Sequence, residues 1–237
     1  MKQTVFLLLQ LCCSFCLCSA QRVETGKELQ QLLKICQAYR QVIQLSFEVE
    51  FTYADSARPE EVLERLRGLS KISNGRYWGM IDSVELVEGL DYSLGIFYQD
   101  SLITVANKPP QTNVLQLPLL DTVFLAANVD SMRITGRQKE ERVLTIFFKN
   151  TSLYSRYCLY YNAQSFLVSR MEYFTRALHQ DDPAGGAQLI TVRLSHYSFD
   201  PVPGELFRED RVLSRTGGAF STTPAFAAFK IIDNTAK

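Results

Sequence analysis

Two histidines are the residues of this sequence that could most readily transfer a proton or hold a metal ion. His179 precedes a polar Asp181-Asp182-Pro183 step, and His196 lies in a strand-like segment. Neither has a partner at the spacing that metal sites use. Gly-x-Ser-x-Gly, P-loop and Gly-x-Gly-x-x-Gly patterns are also absent from the sequence. We therefore expect no enzyme, metal or cofactor, and we interpret Asp181-Asp182 as part of a solvated turn.

Aromatic side chains are the second group with a chemical role to consider. The chain holds 11 Tyr and 15 Phe, and four of the tyrosines fall close together on one predicted strand, namely Tyr154, Tyr157, Tyr160 and Tyr161. Rings that are apolar in body and polar at the tip suit the lining of a hydrophobic-ligand cavity. Aromatic residues also favour strands in general, so filling of a core is the alternative.

A leader precedes the elements that must position these side chains. Lys2 gives it a positive start, residues 5–11 are apolar, and small residues lead up to Ala20. This pattern predicts a signal peptide cleaved after Ala20 and export to the periplasm. A lipoprotein acylated on a leader cysteine is the alternative. No later segment reaches the roughly 20 apolar residues of a membrane span.

Length and charge limit the remaining choices. Removal of residues 1–20 leaves 217 of the 237 residues, enough for one domain with a tail. The chain carries 25 basic and 25 acidic residues, so loss of Lys2 leaves a net charge near −1. This balance gives no reason to expect nucleic acid or an anionic membrane surface as a partner.

Cysteine usage leaves one question open. Of six cysteines, four lie in the leader, and only Cys36 and Cys158 remain in the mature chain. In an oxidising compartment these two could form a disulfide. They could equally stay as small buried hydrophobes, because a domain of this size needs no covalent staple.

The mature chain opens with a helical pattern. Thr25 and Glu28 form a Thr-x-x-Glu capping pattern, which predicts the helix start. Apolar residues then recur at helical spacing, namely Leu29, Leu32, Leu33, Cys36 and Tyr39. The pattern predicts a long amphipathic helix with one buried face.

The next segment, residues 43–53, alternates strictly between apolar and polar residues. Such alternation predicts a long, half-buried antiparallel strand. Phe47, Val49 and Phe51 should point inward, whereas Glu48 and Glu50 should face water.

Strand patterns continue at short spacing through the rest of the chain. Turns such as Asn74-Gly75 separate them, and a short helix is predicted to begin near Asp121. The further predicted strands are residues 76–82, 92–98, 102–106, 129–135, 142–148, 154–161, 166–175 and 189–199. We predict a mainly β protein with one long N-terminal helix and about ten strands, in a strongly curved antiparallel sheet or an incomplete β-barrel. The domain would span residues 21–207, and residues 208–237 would form an arm that could end in an edge strand.

A family resemblance is carried by several short stretches. These stretches are Gly68-Leu69-Ser70-Lys71, Arg76-Tyr77-Trp78, residues 88–100 and residues 199–204. Over most of residues 25–207 the chain resembles the LolA-type outer-membrane lipoprotein carriers. The resemblance implies an incomplete antiparallel barrel whose mouth is covered by helices and whose cavity takes up acyl chains. An Arg-Pro step of that family is replaced here by Ile72-Ser73-Asn74, so its closing arginine has no counterpart.

On this basis we expect a periplasmic binding or carrier module for lipid-like ligands or lipoprotein acyl chains. The residues expected to line its cavity are Phe47, Val49, Phe51, Trp78 and Tyr92. The alternative is a non-catalytic interaction subunit of a cell-envelope assembly, with envelope proteins as partners and no cargo. The sequence leaves the ligand and the oligomeric state open.

A second resemblance concerns modification. Five Asp-Ser or Asp-Thr steps are similar to the Asp-Ser/Thr-aliphatic O-glycosylation signal of Bacteroidetes periplasmic proteins. They begin at Asp55, Asp82, Asp100, Asp121 and Asp130. Asp-Ser is also a common turn dipeptide, so ordinary turns are the alternative.

Overall fold

The computed structural model describes residues 26–108, 122–136, 140–176 and 186–235. These residues form a mainly β structure with two α-helices, α1 (Lys27–Arg40) and α2 (Thr122–Asn128). The second helix begins where the sequence placed it. Thr25, His179 and the Asp181-Asp182 step lie outside the described residues.

Fourteen strands are found in the described part of the chain. They are β1 (Gln44–Asp55), β2 (Arg58–Ser73), β3 (Arg76–Ile81), β4 (Val84–Glu88), β5 (Tyr92–Phe97), β6 (Leu102–Asn107), β7 (Val129–Gly136), β8 (Glu141–Phe148), β9 (Tyr154–Asn162), β10 (Val168–Thr175), β11 (Gln188–Ser198), β12 (Leu213–Thr216), β13 (Ala219–Thr222) and β14 (Lys230–Asp233). β12 and β13 pair with each other, and the other twelve form one sheet in the order β14-β6-β5-β4-β3-β2-β1-β11-β10-β9-β8-β7. This sheet is curved and open, with β14 and β7 at its edges.

Most of the sheet was predicted correctly. The Asn74-Gly75 turn is confirmed, since both residues have the positive φ angles, 49° and 71°, of a tight hairpin turn. β2 and β4 were missed, so the sheet has more strands than predicted. The first half of β2 is charged and exposed and shows no alternation. β14 also departs from the predicted antiparallel arrangement, because it pairs with β6 in parallel.

The first helix is shorter than predicted, with 14 residues, and it starts differently. Gly26 occupies the N-cap, and no side chain caps the helix there. Leu32, Cys36 and Tyr39 are buried as predicted, but Leu33 is 52% exposed and Ile35 is buried in its place. The buried stripe is therefore rotated around the helix relative to the predicted one, towards Ile35 and away from Leu33.

The two faces of the sheet differ in what covers them. The helix face carries α1 and packs around Phe47, Leu45 and Ile72. We call the opposite face the tail face. Over β3 to β6 it is covered by residues 202–233, which we call the C-terminal segment. Because side chains alternate along a strand, Tyr77 points to the helix face and its neighbour Trp78 to the tail face.

Carboxylates fix the C-terminal segment to the sheet. The Glu85 side chain is buried and accepts hydrogen bonds from the Trp78 indole Nε1–H at 2.5 Å, from the Tyr98 hydroxyl at 2.7 Å and from Arg211. The Glu209 carboxylate accepts the backbone N–H groups of residues 91 and 92 at 2.9 Å. These bonds orient the apolar side chains of the segment, which bury the tail face beneath it.

Cys36 and Cys158 are both free and buried. Cys36 packs on the helix face, whereas Cys158 lies on the tail face beside Val143 and Tyr160. The structure therefore shows two separate thiols, which is the second of the two alternatives. Burial raises the pKa of the Cys36 thiol to about 11.

Two tyrosine hydroxyls anchor α1 where β10 and β11 separate. The pairing of these strands begins at Arg170 and Arg193, beyond Val168. The Val168 N–H donates to the Tyr39 hydroxyl at 2.9 Å, and the Tyr197 hydroxyl donates to the Val168 carbonyl at 2.6 Å. The two hydroxyls lie 2.7 Å apart, and Tyr39 must be the donor because the proton of Tyr197 is already used. This closed ring ties the end of α1 to both strands.

The hydrogen-bonded ring of Tyr39, Tyr197 and Val168 predicts a loss of stability in alkali. Burial raises the pKa of Tyr39 to about 12 and that of Tyr197 further. An unfolded tyrosine ionises near pH ~10, so above this pH the unfolded chain loses protons that the folded protein keeps. The contribution of these two tyrosines to the free energy of unfolding should therefore be constant below about pH 10 and fall above it. Denaturant titrations across this range, with phenolate absorbance as the second readout, measure the effect.

Tyr39→Phe tests the same hydrogen-bonded ring at neutral pH. It leaves the Val168 N–H without its acceptor, so we expect a loss of about 1–3 kcal/mol in the free energy of unfolding. Tyr154→Phe is the control, because the Tyr154 hydroxyl takes no part in the hydrogen-bonded ring. Equal stabilities of the two variants would contradict the anchoring role.

Phe47→Ala tests the predicted faces of β1. The Phe47 ring is 2% exposed and packs against the rings of Tyr39 and Tyr197. Its removal should cost about 3–5 kcal/mol. Glu48→Ala, at a side chain that is 59% exposed, should cost far less. Thermal unfolding of both variants measures this, and equal shifts would show the face assignment to be wrong.

Candidate ligand-binding site

The helix face is covered unevenly. The main contacts of α1 are with β7 and β8, and α2 contacts β7. The hydrogen-bonded ring of Tyr39, Tyr197 and Val168 holds the end of α1 at β10 and β11. At the other end of the sheet, the helix-face side chains of β3 to β6 are for the most part only half-buried.

We call these side chains of β3 to β6 the open patch. Its half-buried apolar members are Ile81, Val84, Leu86, Phe97, Leu102 and Ala106. Ile81 pairs with Val84, Val84 with Phe97, and Phe97 with Leu102, so one continuous apolar row crosses four strands. Polar members lie on the other rows, namely Glu88, Ser93 and Thr104.

The four strands are apolar on both faces. On the tail face Val87, Leu94 and Ile103 are at most 1% exposed beneath the C-terminal segment. A strand with one face in water normally alternates apolar with polar residues. Here the positions that should be polar carry Ile81 and Phe97 instead. The sequence thus provides for two covers over these strands, and the C-terminal segment is one of them.

Two glycines shape the surface of the patch. A Cβ on Gly79 would lie 2.5 Å from the Tyr77 hydroxyl, and a Cβ on Gly95 would lie 2.7 Å from Thr104 Oγ1 and 3.2 Å from the Phe97 ring. The rings therefore lie across the glycines, close to the backbone. The Tyr77 hydroxyl also hydrogen-bonds the Ser70 hydroxyl at 3.1 Å. Because of this packing, the side chains of the patch rise little above the backbone, and ring faces and edges form its surface.

A cleft lies further along the same face. The apolar row continues from Ile81 through Gly68 and Val49 to Leu194. Leu194 lines an open cleft of about 640 Å³ together with Tyr161, Ser169 and Tyr197. The cleft lies where β10 leaves β11. The open patch and the cleft are thus joined by one row of small and apolar residues.

The five predicted cavity residues fall into two groups. Phe47 and Val49 are buried on the helix face, and Phe51 is half-buried in the same cluster. Trp78 and Tyr92 lie on the tail face instead, where the Tyr92 ring packs 5.0 Å from the Phe220 ring. The structure therefore does not bring all five to one cavity. A role in ligand binding remains a prediction for each of them.

The residues of the open patch were missed by the sequence reasoning. Their signal was present, because β3 to β6 lack the polar alternation seen in β1. However, the C-terminal segment, which is distant in sequence, determines which of the two apolar faces is covered. No local sequence pattern indicates where that segment lies.

No chemical centre accompanies the patch. Within the described ranges, no group of three or more His, Cys, Asp or Glu residues could hold a metal ion. His196 is 75% exposed and pairs with Glu48 at 3.0 Å. In the same described ranges, no helix has the length and apolar character needed to cross a membrane.

Comparisons with known proteins concern the fold. No family model and no curated protein matches the chain. An uncharacterized conserved protein from Thermus thermophilus is similar in structure at 11% identity, covering 88% of this chain and 100% of that one, with a TM-score of 0.51. A LolA superfamily protein from Nitrosomonas europaea matches at 14% identity, covering 77% of this chain and 98% of that one, with a TM-score of 0.31.

The lipoprotein LppX of Mycobacterium tuberculosis is a third similar structure, at 11% identity, covering 74% of this chain and 97% of that one, with a TM-score of 0.41. LolA-type proteins, to which the sequence resemblance pointed, are thus among the solved structures that are similar to this chain.

Proposed function

We propose that the protein is a non-catalytic periplasmic carrier or binding module for a lipid-like ligand, such as a free or protein-linked acyl chain. The open patch is its binding site. The observation that supports this proposal is that β3 to β6 are apolar on both faces, while the C-terminal segment covers the tail face alone.

The chemistry of the patch favours an apolar ligand over a polar one. Its longest row consists of Ile81, Val84, Phe97 and Leu102, and these side chains offer no hydrogen bonds. Contiguous apolar surface of this kind marks binding sites on soluble proteins. Covering roughly 300 Å² of it would supply about 7 kcal/mol before the costs of association.

The location and the domain division belong to the same proposal. Export rests on the leader at residues 1–20, with a lipoprotein as the alternative. The boundary at residue 207 separates Phe207 from Val212, which pack in the same cluster. Residues 208–233 should therefore act with the sheet that they cover, and their removal should expose the tail face.

Val84→Asp tests the proposed site. A charge in the middle of the apolar row should reduce the affinity for a fluorescent fatty acid by at least about tenfold, because burying an unpaired carboxylate costs several kcal/mol. Val62→Asp is the matched control, because Val62 is 42% exposed on β2 outside the patch. Fluorescence titration gives the affinities, and thermal unfolding checks that both variants fold.

Two outcomes would contradict the proposal. The first is equal probe affinity of the two variants. The second is the absence of any saturable uptake, together with no bound acyl ligand in native mass spectrometry of the gently extracted protein. In the second case, recovery of the protein crosslinked to envelope proteins would favour the interaction subunit without cargo.

A further inference from the structure

Outside the area under the C-terminal segment, the tail face carries arginines. We call this surface, on β1, β2 and β7 to β11, the arginine face. Its arginines come from five strands and are Arg65, Arg67, Arg133, Arg156, Arg170 and Arg193. These residues are scattered over the sequence, and the strand pairing gathers them.

The pairing arranges most of these residues in two neighbouring rows. One row runs Arg67, Glu50, Arg193, Arg170, Tyr160, Val143. The next runs Arg65, Thr52, Thr191, Glu172, Cys158, Thr145, Arg133. The second row crosses seven strands, a length of about 29 Å along the curved sheet at ~4.8 Å between strands.

The charge of the arginine face differs from that of the whole chain. The chain balances 25 basic against 25 acidic residues. The two rows hold five arginines and two glutamates, Glu50 and Glu172, which leaves three positive charges in excess. The two rows contain no lysine, and arginine rather than lysine binds planar or tetrahedral oxyanions through two parallel hydrogen bonds.

Glu50 holds three of the arginines together. Its carboxylate lies 2.9 Å from Arg67, 3.5 Å from Arg193 and 4.0 Å from Arg65, and its side chain is 22% exposed. Each guanidinium has five N–H donors, far more than one carboxylate can accept. Arg67 and Arg193 are 71% and 58% exposed. Glu50 therefore sets their positions and leaves donors directed to solvent.

Aromatic rings hold two further arginines on the sheet. The Arg156 guanidinium lies 3.8 Å from the centroid of the Phe174 ring, and that of Arg170 lies 3.8 Å from the centroid of the Tyr160 ring. Stacking of this kind limits the conformations of both side chains. The positive charges are thus spread over a broad sheet surface and held in place before any partner arrives.

We propose that the arginine face docks on the phosphate headgroups of an anionic membrane surface. A surface that extends about 29 Å along the sheet suits an array of headgroups better than one small anion. Fixed arginines lose little freedom when they bind phosphate, which lowers the cost of association. The inference is independent of the proposed ligand, because the open patch lies on the other face of the sheet.

Vesicle binding tests this inference. Binding of the purified protein should be absent with phosphatidylcholine vesicles, rise with the share of phosphatidylglycerol, and fall with added salt. At about 1 kcal/mol for each arginine near the surface, the double variant Arg67→Gln/Arg193→Gln should bind roughly 30-fold more weakly. Co-sedimentation measures both effects.

Arg58→Gln/Arg208→Gln is the matched control. It removes the same charge from two side chains that are both 61% exposed and lie outside the arginine face, so it should bind vesicles almost as the unchanged protein does. Fatty-acid probe affinity should be the same in both double variants, which separates this test from that of the open patch. Melting temperatures check that both fold.

Three results would overturn the inference. They are equal weakening in the two double variants, equal binding to neutral and anionic vesicles, and no vesicle binding by the unchanged protein. In the third case, a crosslink from the arginine face to an acidic protein would assign the surface to that partner class instead.

Discussion

Strands that are apolar on both faces need two covers, and the fold of this protein is organised around that need. On β3 to β6 the C-terminal segment supplies one cover. It is placed by Glu85 and Glu209, whose carboxylates bind indole, hydroxyl, guanidinium and backbone donors of sheet and segment. A buried carboxylate such as that of Glu85 is tolerated only when it is fully paired, so its contacts allow few other positions of the segment. The segment is therefore as much a part of the core as the strands beneath it.

The position of α1 on the helix face is determined at the other end of the sheet. Tyr39 and Tyr197 complete the hydrogen bonds of Val168 where β10 and β11 part. A buried backbone group left unpaired would be costly, so the ring fixes the end of α1 at this point. The main contacts of the helix are with β7 and β8, and β3 to β6 lie outside these contacts. One polar requirement thus explains why an apolar surface remains half-exposed elsewhere.

Much of the local structure could be predicted from the sequence, since it follows from local rules. The alternation from Phe47 to Phe51 and the Asn74-Gly75 turn depend on residues that are neighbours in the chain. The placement of Trp78 and Tyr92 could not be read in this way. Both have the aromatic character of a cavity lining, but a segment more than one hundred residues later covers them. Likewise, Cys36 and Cys158 are assigned to opposite faces only by the completed sheet.

The charge pattern shows the same limit. A neutral chain gives no reason to expect an anionic partner, yet neutrality is a sum over all surfaces and says nothing of their distribution. Arg67, Arg170 and Arg193 are far apart in sequence, and only the register of β2, β11 and β10 against their neighbours sets them in one row. A slip of one residue in any of these pairings would move that arginine to the other face. The packing of Phe47 and its neighbours holds the register, so the apolar core also determines where the charges meet.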